Sequence, residues 1–476
     1  PQRWANWMFE VEHYDPATGN FTFGKGGNQG ARGANSGGDF FIENVLEELD
    51  YPNEFFHDKE SGKLYLFYNG TGPPPVESSF VVPKLRTLFN ITGTQWNPVK
   101  KVKISGVKFQ ASRYTYMDPH GVPSAGDWAL ERTAAFFIQG TEKISVTNCI
   151  FDRLDGNAVM ISGYNRNATI FNSDFSFIGG SAITSWGYTN ETITDPGRPG
   201  ITLENAPMAG VDGTDGEHPR HTHISGCTAR EVGLYEKQSS FYMQAKTVHT
   251  TISHNVFFNG PRAGINMNDG FGGGDEVSHN LVFSTCRESG DHGPFNSWDR
   301  QPFLTMVKGE DGNTRPSMQM QWRRIHHNFF IDNYSPQENV DNDDGSAYFK
   351  THDNFFVYGS KGMKNDYGGH DNHHFRNIYA YSDEVIGICD QLEGHEDHFY
   401  SNQVIITGDN VGDFKCSGPG KLIIYNNEYY TASGNIMECN MPLTDWQKKG
   451  EDKNSTVKKH PGDQTIIEWA KKLLDF

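Results

Sequence analysis

The sequence predicts an all-β protein wound as a parallel β-helix, a solenoid of roughly eleven rungs, and three observations predict it. Asparagine returns about every 24 residues in strings that keep their shape, at Asn148, Asn172, Asn255, Asn280, Asn328, Asn354, Asn377, Asn402 and Asn426; the regular intervals are 24 (148 to 172), 25 (255 to 280), 26 (328 to 354), 23 (354 to 377), 25 (377 to 402) and 24 (402 to 426). Each string, such as TISHNVFF or IIYNNEYY, carries a β-branched and aromatic run of three to six residues with no helical stripe beside it, which excludes helical repeats. Asparagine also suits the turn of such a coil, because it tolerates left-handed backbone angles and its amide can hydrogen-bond to the rungs on either side. ISGVKF at Gly106 and ISGCTA at Cys227 fit as rungs with the asparagine replaced. At a rise of roughly 4.8 Å per rung, the rod is about 50 Å long.

Residues 1–100 are expected to form a β lead-in packed on the rod, with EFFHD and KLYLFYN as a hairpin around KESG. Residues 101–440 form the β-helix. Within it the period breaks by insertion, at 42 residues from Gly106 to Asn148, 55 from Asn172 to Cys227 and 48 from Asn280 to Asn328. Each is close to one rung plus a loop, although the last also fits two full rungs. Insertions of this kind tend to gather on one face, often the binding face. In the tail, 441–476, TIIEWAKKLLDF places Ile466, Ile467, Ala470, Leu473 and Leu474 on one helical stripe, with Thr465 and Glu468 spaced as a capping box. A helix there would cover the unpaired strand edges at the end of the rod.

The formal net charge of −18 argues against nucleic acid and against strongly anionic polysaccharides, leaving neutral glycans as the easier partner. No apolar run approaches membrane-spanning length. Because residue 1 is Pro, the chain reads as a mature product or a fragment. Seven sequons, at Asn20, Asn69, Asn90, Asn167, Asn190, Asn333 and Asn454, are candidate glycosylation sites. Six cysteines lack zinc-type spacing; Cys416 and Cys439 are 23 apart, one rung, so they could stack and bond, as could Cys389 with Cys416, and buried thiols are the alternative. Sequons and cysteines together lean toward a secreted protein.

The densest polar stretch lies between Asn255 and Asn377. Asp291 is 11 residues past Asn280 and Asp344 is 16 past Asn328, so with one rung plus a loop between them the two carboxylates fall on adjacent rungs. Such a pair suits glycoside cleavage, in which one group protonates the leaving oxygen and the other activates water or attacks carbon. Against this, SGDHG and DDGS are also ordinary turn chemistry. DNDDG invites a calcium reading but lacks the spacing of a calcium hand, so no cofactor is assigned. His292, His326, His327, His352, His370, His373 and His374 lack the H-E-x-x-H arrangement and read mostly as turn or surface residues. Trp186, Trp298 and Trp322 read as loop residues, able to stack on sugar faces or to pin a loop to the rod.

Four segments carry a resemblance: ENVLEELDYPNEFFHDKESGKLYLFYNG from Glu43, ESGDHGPFNSWDR from Glu288, NVDNDDGSAYF from Asn339 and TDWQKKGEDKNSTVKKHP from Thr444. They resemble the right-handed, pectate-lyase-like β-helix proteins related to glycoside hydrolase family 141. The resemblance implies a right-handed coil and two catalytic carboxylates, falling on Asp291 and on Asp343 or Asp344. Pro294 and Phe295 depart from the family pattern, which has Ala and a β-branched residue after the equivalent of DHG.

The leading expectation is an extracellular glycoside hydrolase acting on a neutral or mildly substituted polysaccharide, with His292, Trp298 and Arg300 shaping the subsite. A second is a non-catalytic β-helix serving as a structural or glycan-binding unit of a matrix or self-assembling filament, since fold does not fix function. A polysaccharide lyase is third, requiring a basic proton abstractor beside a cation.

Overall fold

The structure is a computed structural model, and it describes residues 8–27, 40–77, 80–121, 129–187, 218–268, 273–290, 292–298, 306–308, 314–316, 321–332, 334, 338–366, 369–389 and 393–475. Three parallel sheets of eleven, twelve and thirteen strands run the length of a β-helix, each rung giving one short strand to each sheet. Parallel pairing starts at Phe89–Thr92 and ends at Thr456–Lys459, just outside the 101 and 440 marks. The insertions fall within single rungs: Glu276–Ser278 pairs directly with Arg324–His326, and Thr169–Phe171 with His223–Ser225, which settles the 48-residue interval as one rung.

In-register stacking turns every inward position into a column. Phe109, Phe151 and Phe175 stack with ring centroids 4.9 and 4.7 Å apart, near the rung spacing, and the column continues through Phe257, Phe330, Phe356 and Tyr379. Burying one such ring contributes about 1.5–3 kcal/mol. Even His374 stands in an inward column, fully buried, and burial holds its imidazole neutral with a pKa near 3.

The asparagine period resolves into two adjacent columns between the eleven- and twelve-stranded sheets. The first residue of each turn is left-handed: Asn148, Asn172, Gly226, His254, His279, His327, Asp353, Arg376, Ser401, Asn426 and Asn454 all have positive φ. The next residue is buried and forms the ladder. Asn328 Nδ2 donates to Asn354 Oδ1 at 2.9 Å and to the Val277 carbonyl at 2.9 Å, while Asn328 Oδ1 accepts from the Asn280 backbone N–H and from Asn280 Nδ2. The same pattern runs from Asn255 to Asn427. Asn148, Asn172 and Asn426 therefore belong to the left-handed column, and Asn427 is the last ladder amide. The two virtues expected of one asparagine are divided between neighbours.

The Phe55–Asp58 and Lys63–Leu66 hairpin forms as expected, joined by a second, Phe9–Asp15 with Asn20–Gly26. Cys416 and Cys439 are disulfide-bonded, and Cys389 stays a thiol. Two expectations for the tail are corrected. Helix α1, Leu443–Lys448, inserts Leu443 into the end of the core, whereas α2, Asp463–Leu473, lies along the outer face of the twelve-stranded sheet over Phe355, Ile378, Ile405 and Tyr430. The α2 N-cap is Gly462, so Thr465 lies inside the helix and no capping box with Glu468 forms; Trp469 joins the packed face and Ile467 remains exposed. Among the described residues no helix is long and apolar enough to cross a membrane.

Candidate active site

The outer face of the thirteen-stranded sheet concentrates the polar side chains. Residues alternate across a strand, so the core positions Phe295, Val340 and Met363 leave Asn296, Asp341 and Lys364 on the opposite face, and these three are paired in register on successive rungs. At the end of the middle strand, Glu338–Asn342, the chain turns sharply: the Ser346 N–H donates to the Asp343 carbonyl at 3.0 Å, and Gly345 takes a left-handed φ of 75° that a side chain would oppose. This turn presents Asp343 and Asp344 at the strand end. Gly293 has a steric reason too, since a Cβ there would run into the Glu338 carbonyl. Pro294 and Phe295 are accommodated: the Pro294 carbonyl accepts from Ile265 N–H, and Phe295 is a buried core residue packed edge-on to Phe349.

One ammonium organises the carboxylates. Lys364 Nζ lies 3.2 Å from Asp341 Oδ1, 3.5 Å from Asp343 Oδ1 and 3.1 Å from Asp366 Oδ2. Burial alone would discharge Lys364, but the surrounding carboxylates, Asp341 first, hold its pKa far above the ordinary value. Asp341 is fully buried, which opposes its charge, yet Lys364 and the His292 hydrogen bond outweigh that and keep it ionised. Asp343 goes the other way: burial, then the charge of Asp341, overcome Lys364 and push its carboxyl up to about 7. The set thus contains an ionised carboxylate and one poised to carry a proton near neutrality, the division expected of acid and base groups.

His292 Nδ1 is 3.1 Å from Asp341 Oδ2, and Asn296 Nδ2 donates to the same oxygen at 2.7 Å. Burial and the nearby Arg262 hold His292 neutral, near 3, despite Asp341, so its Nδ1–H is the donor. Among the described residues, His292 Nε2 and Asn296 Oδ1 are buried without hydrogen-bond partners. Each such orphan costs about 1–3 kcal/mol, and these two stand beside the Asp341 carboxylate.

Along the same face, Met160, Trp186, Met243, Ala245 and Trp298 form an apolar cluster with Leu130 and Ala134. The Arg132 guanidinium stacks 3.5 Å from the Trp186 ring, and Arg262 lies 5.4 Å from that of Trp298. Trp186 and Trp298 are strand residues, in Ile183–Trp186 and Phe295–Trp298, which corrects their reading as loop side chains; both are almost wholly buried. Trp322 is half-buried against Tyr348 and His373.

Of the candidates read from sequence, the structure brings Asp343, Asp344 and His292 to this face beside Trp298. Asp291 and Arg300 lie outside the described residues, as do the sequon residues Asn190 and Asn333; Asn20, Asn69, Asn90, Asn167 and Asn454 are exposed. The sequence reading missed Asp341, Lys364 and Asp366. Their signal was present, because Asp341-Asn342-Asp343 is followed one rung later by Lys364-Asn365-Asp366. Asp343, Asp344 and Asp366 each bring a carboxylate oxygen within 4.8 Å of the other two, a set that could receive a cation; Lys364 already neutralises two of its members.

No known family profile and no curated protein matches the chain. Among solved structures, one described as a glycoside hydrolase is similar at a TM-score of 0.50 and 16% identity, over 91% of this chain and 61% of that one. A structure of XylC with xylose is similar at 0.45 and 12% identity, over 88% of this chain and 65% of that one, and the Streptococcus pneumoniae surface protein and adhesin PfbA at 0.37 and 11%, over 74% and 80%. The chain spans less than two thirds of the length of the first two. At these identities the likeness establishes the fold, the parallel β-helix, and nothing about chemistry.

Proposed function

We propose that the chain is a carbohydrate-active protein, a glycoside hydrolase acting outside the cell on a neutral or mildly substituted polysaccharide. The observation that supports this reading above others is the Lys364 cluster, in which one ammonium holds three carboxylates and the proton affinities of two of them, Asp341 and Asp343, are driven apart. Asp343, protonated near neutrality, gives its proton to the glycosidic oxygen as the C–O bond breaks. Asp366 attacks the anomeric carbon, Asp344 completes the set, and Asp341 holds Lys364 and His292 in place. The short separation of the Asp343 and Asp366 oxygens, within 4.8 Å, favours a double displacement with retention, since inverting pairs stand about 6.5–9.5 Å apart to admit water. Asp291 stays in the proposal as a partner carboxylate from the sequence, with His292, Trp298 and Arg300 as subsite residues. Exposed sequons and the Cys416–Cys439 bond support the extracellular placement. The glycoside hydrolase among the similar structures is in keeping with this reading.

A second reading, a non-catalytic structural or glycan-binding β-helix, is favoured by one observation: Trp298 and Asp341 are 1% and 0% exposed, as expected of a filled face. The deciding experiment is hydrolysis of aryl glycosides and of plant and algal polysaccharides by the parent chain and by Asp343→Asn, Asp366→Asn, Asp344→Asn and Asp291→Asn. The expected result is a loss of about 10²–10⁴-fold in Asp343→Asn with folding unchanged, and products of retained configuration. Inverted products would remove Asp366 as nucleophile, and full activity in Asp343→Asn would remove the mechanism.

A further inference from the structure

A second cluster of chemistry-bearing side chains lies outside the carboxylate set. The chain carries Gly369-His370-Asp371 on one rung and Gly394-His395-Glu396 at the corresponding turn of the next. His370 Nδ1 and His395 Nδ1 each lie 2.8 Å from the same atom, Asp371 Oδ2. The two imidazoles meet edge to face with centroids 5.1 Å apart, and His370 packs edge-on to Tyr348 at 5.2 Å. The backbone fixes the arrangement. The His370 N–H donates to the Ser346 carbonyl, the Asp371 N–H to the His395 carbonyl, and Asp371 is held at a left-handed φ of 53°.

We propose that His370, Asp371 and His395 form a binding site for a divalent transition metal, zinc being the first choice. Two imidazoles and one carboxylate on one side of an ion make the three-ligand set that leaves a fourth position open. Zinc bonds of about 2.0–2.2 Å in tetrahedral geometry put neighbouring donor atoms about 3.3–3.6 Å apart, so the nitrogens, each 2.8 Å from the common oxygen, need to open from it by less than about 1 Å. Without metal, both imidazoles donate Nδ1–H to the carboxylate. On binding, the Nδ1 lone pairs and the carboxylate oxygen take the ion, and each ring carries its N–H on Nε2. Imidazole nitrogen with a single carboxylate selects zinc and its neighbours over calcium or magnesium, which prefer all-oxygen shells. All three residues are partly exposed, so an ion has access. The site is independent of the hydrolase reading, although the Gly369 N–H donates to the Asp366 carbonyl at 2.7 Å and so ties the two clusters to one turn.

The test is titration of the full chain with zinc chloride by calorimetry and with cobalt(II) by visible absorption, beside His395→Ala, Asp371→Ala and, as a control, His279→Ala, an exposed histidine of another stack. The expected result is one equivalent per chain, with an intense low-coordinate cobalt spectrum. His395→Ala and Asp371→Ala should each weaken binding by more than about 100-fold, and His279→Ala should leave it unchanged. His395 is half-exposed, so its variant keeps the fold. Equal uptake by the His395 and Asp371 variants, or no uptake by the parent chain, overturns the proposal.

Discussion

Asp343 is the residue on which the proposed chemistry turns, and its environment makes a signed prediction. Its folded pKa, about 7, lies above the ordinary value of 3.8, so the fold favours the protonated form. The stabilisation this gives is fully present below the ordinary carboxylate range and is lost as pH rises through about 7. Activity is expected to fall over the alkaline part of the same window, as the general acid loses its proton. Glu131, pushed to about 7 chiefly by burial, adds to the stability slope at a distance from Lys364. Thermal melts of Asp343→Asn from pH 4 to 8 should therefore show a shallower but not flat profile, while the activity limb near 7 disappears altogether. A melting profile identical to that of the parent chain would mean that Asp343 is already ionised in the acid range.

The ladder belongs to the scale of the element, and it behaves as a unit. Asn328 is fully buried and serves four hydrogen bonds on two neighbouring rungs. Asn328→Ala strands the Asn280 backbone N–H and one of the two Asn280 amide hydrogens in the interior, the other staying on the Ile252 carbonyl, as well as removing its own contacts. The expected cost is about 2–4 kcal/mol, read from the denaturant midpoint, whereas His327→Ala in the neighbouring left-handed column should cost well under half of that. The period that reveals the ladder was plain in the sequence because burial of an amide demands a partner at every rung. Its phase was not, since Asn426 and Asn427 are adjacent and either fits the string. The site was legible to the extent of Asp343, Asp344 and His292, where Gly and clustered carboxylates stand out. Lys364 and Asp366 were hidden because a lone Lys or Asp in a strand looks like a solvated face until register sets it beside Asp341. The tryptophans were misplaced for a related reason: Trp186 and Trp298 stand at outward strand positions that are nonetheless buried, and period-2 patterning carries no sign of it.

At the scale of the molecule, a solenoid is held by contacts between neighbours in sequence, so damage stays local. The Cys416–Cys439 bond closes a 23-residue segment over the last rungs. Replacing Cys439 with Ser should lower the stability of that end by about 2–4 kcal/mol, seen as faster amide exchange in residues 398–459, while protection around Asn255 and Asn280 is unchanged. Uniform loss of protection along the rod would mean that the solenoid unfolds as one cooperative body. The insertions, by contrast, leave the pairing of the rungs they interrupt untouched.

The two columns at the turn also decide what can be added to or taken from this chain. Between Asn255 and Asn427 each ladder amide bonds a like residue on the next rung, so losing a single asparagine from the middle leaves a gap that no neighbour fills. Excising a whole coil from one ladder position to the next, such as the 23 residues from Phe355 to Asn377, would instead bring Asn354 directly against Asn402. Such a deletion should be gentler on the rod than one point substitution in it. The natural unit of change here is the coil: the rod can lengthen or shorten by whole turns while every remaining ladder amide keeps a partner on the next rung.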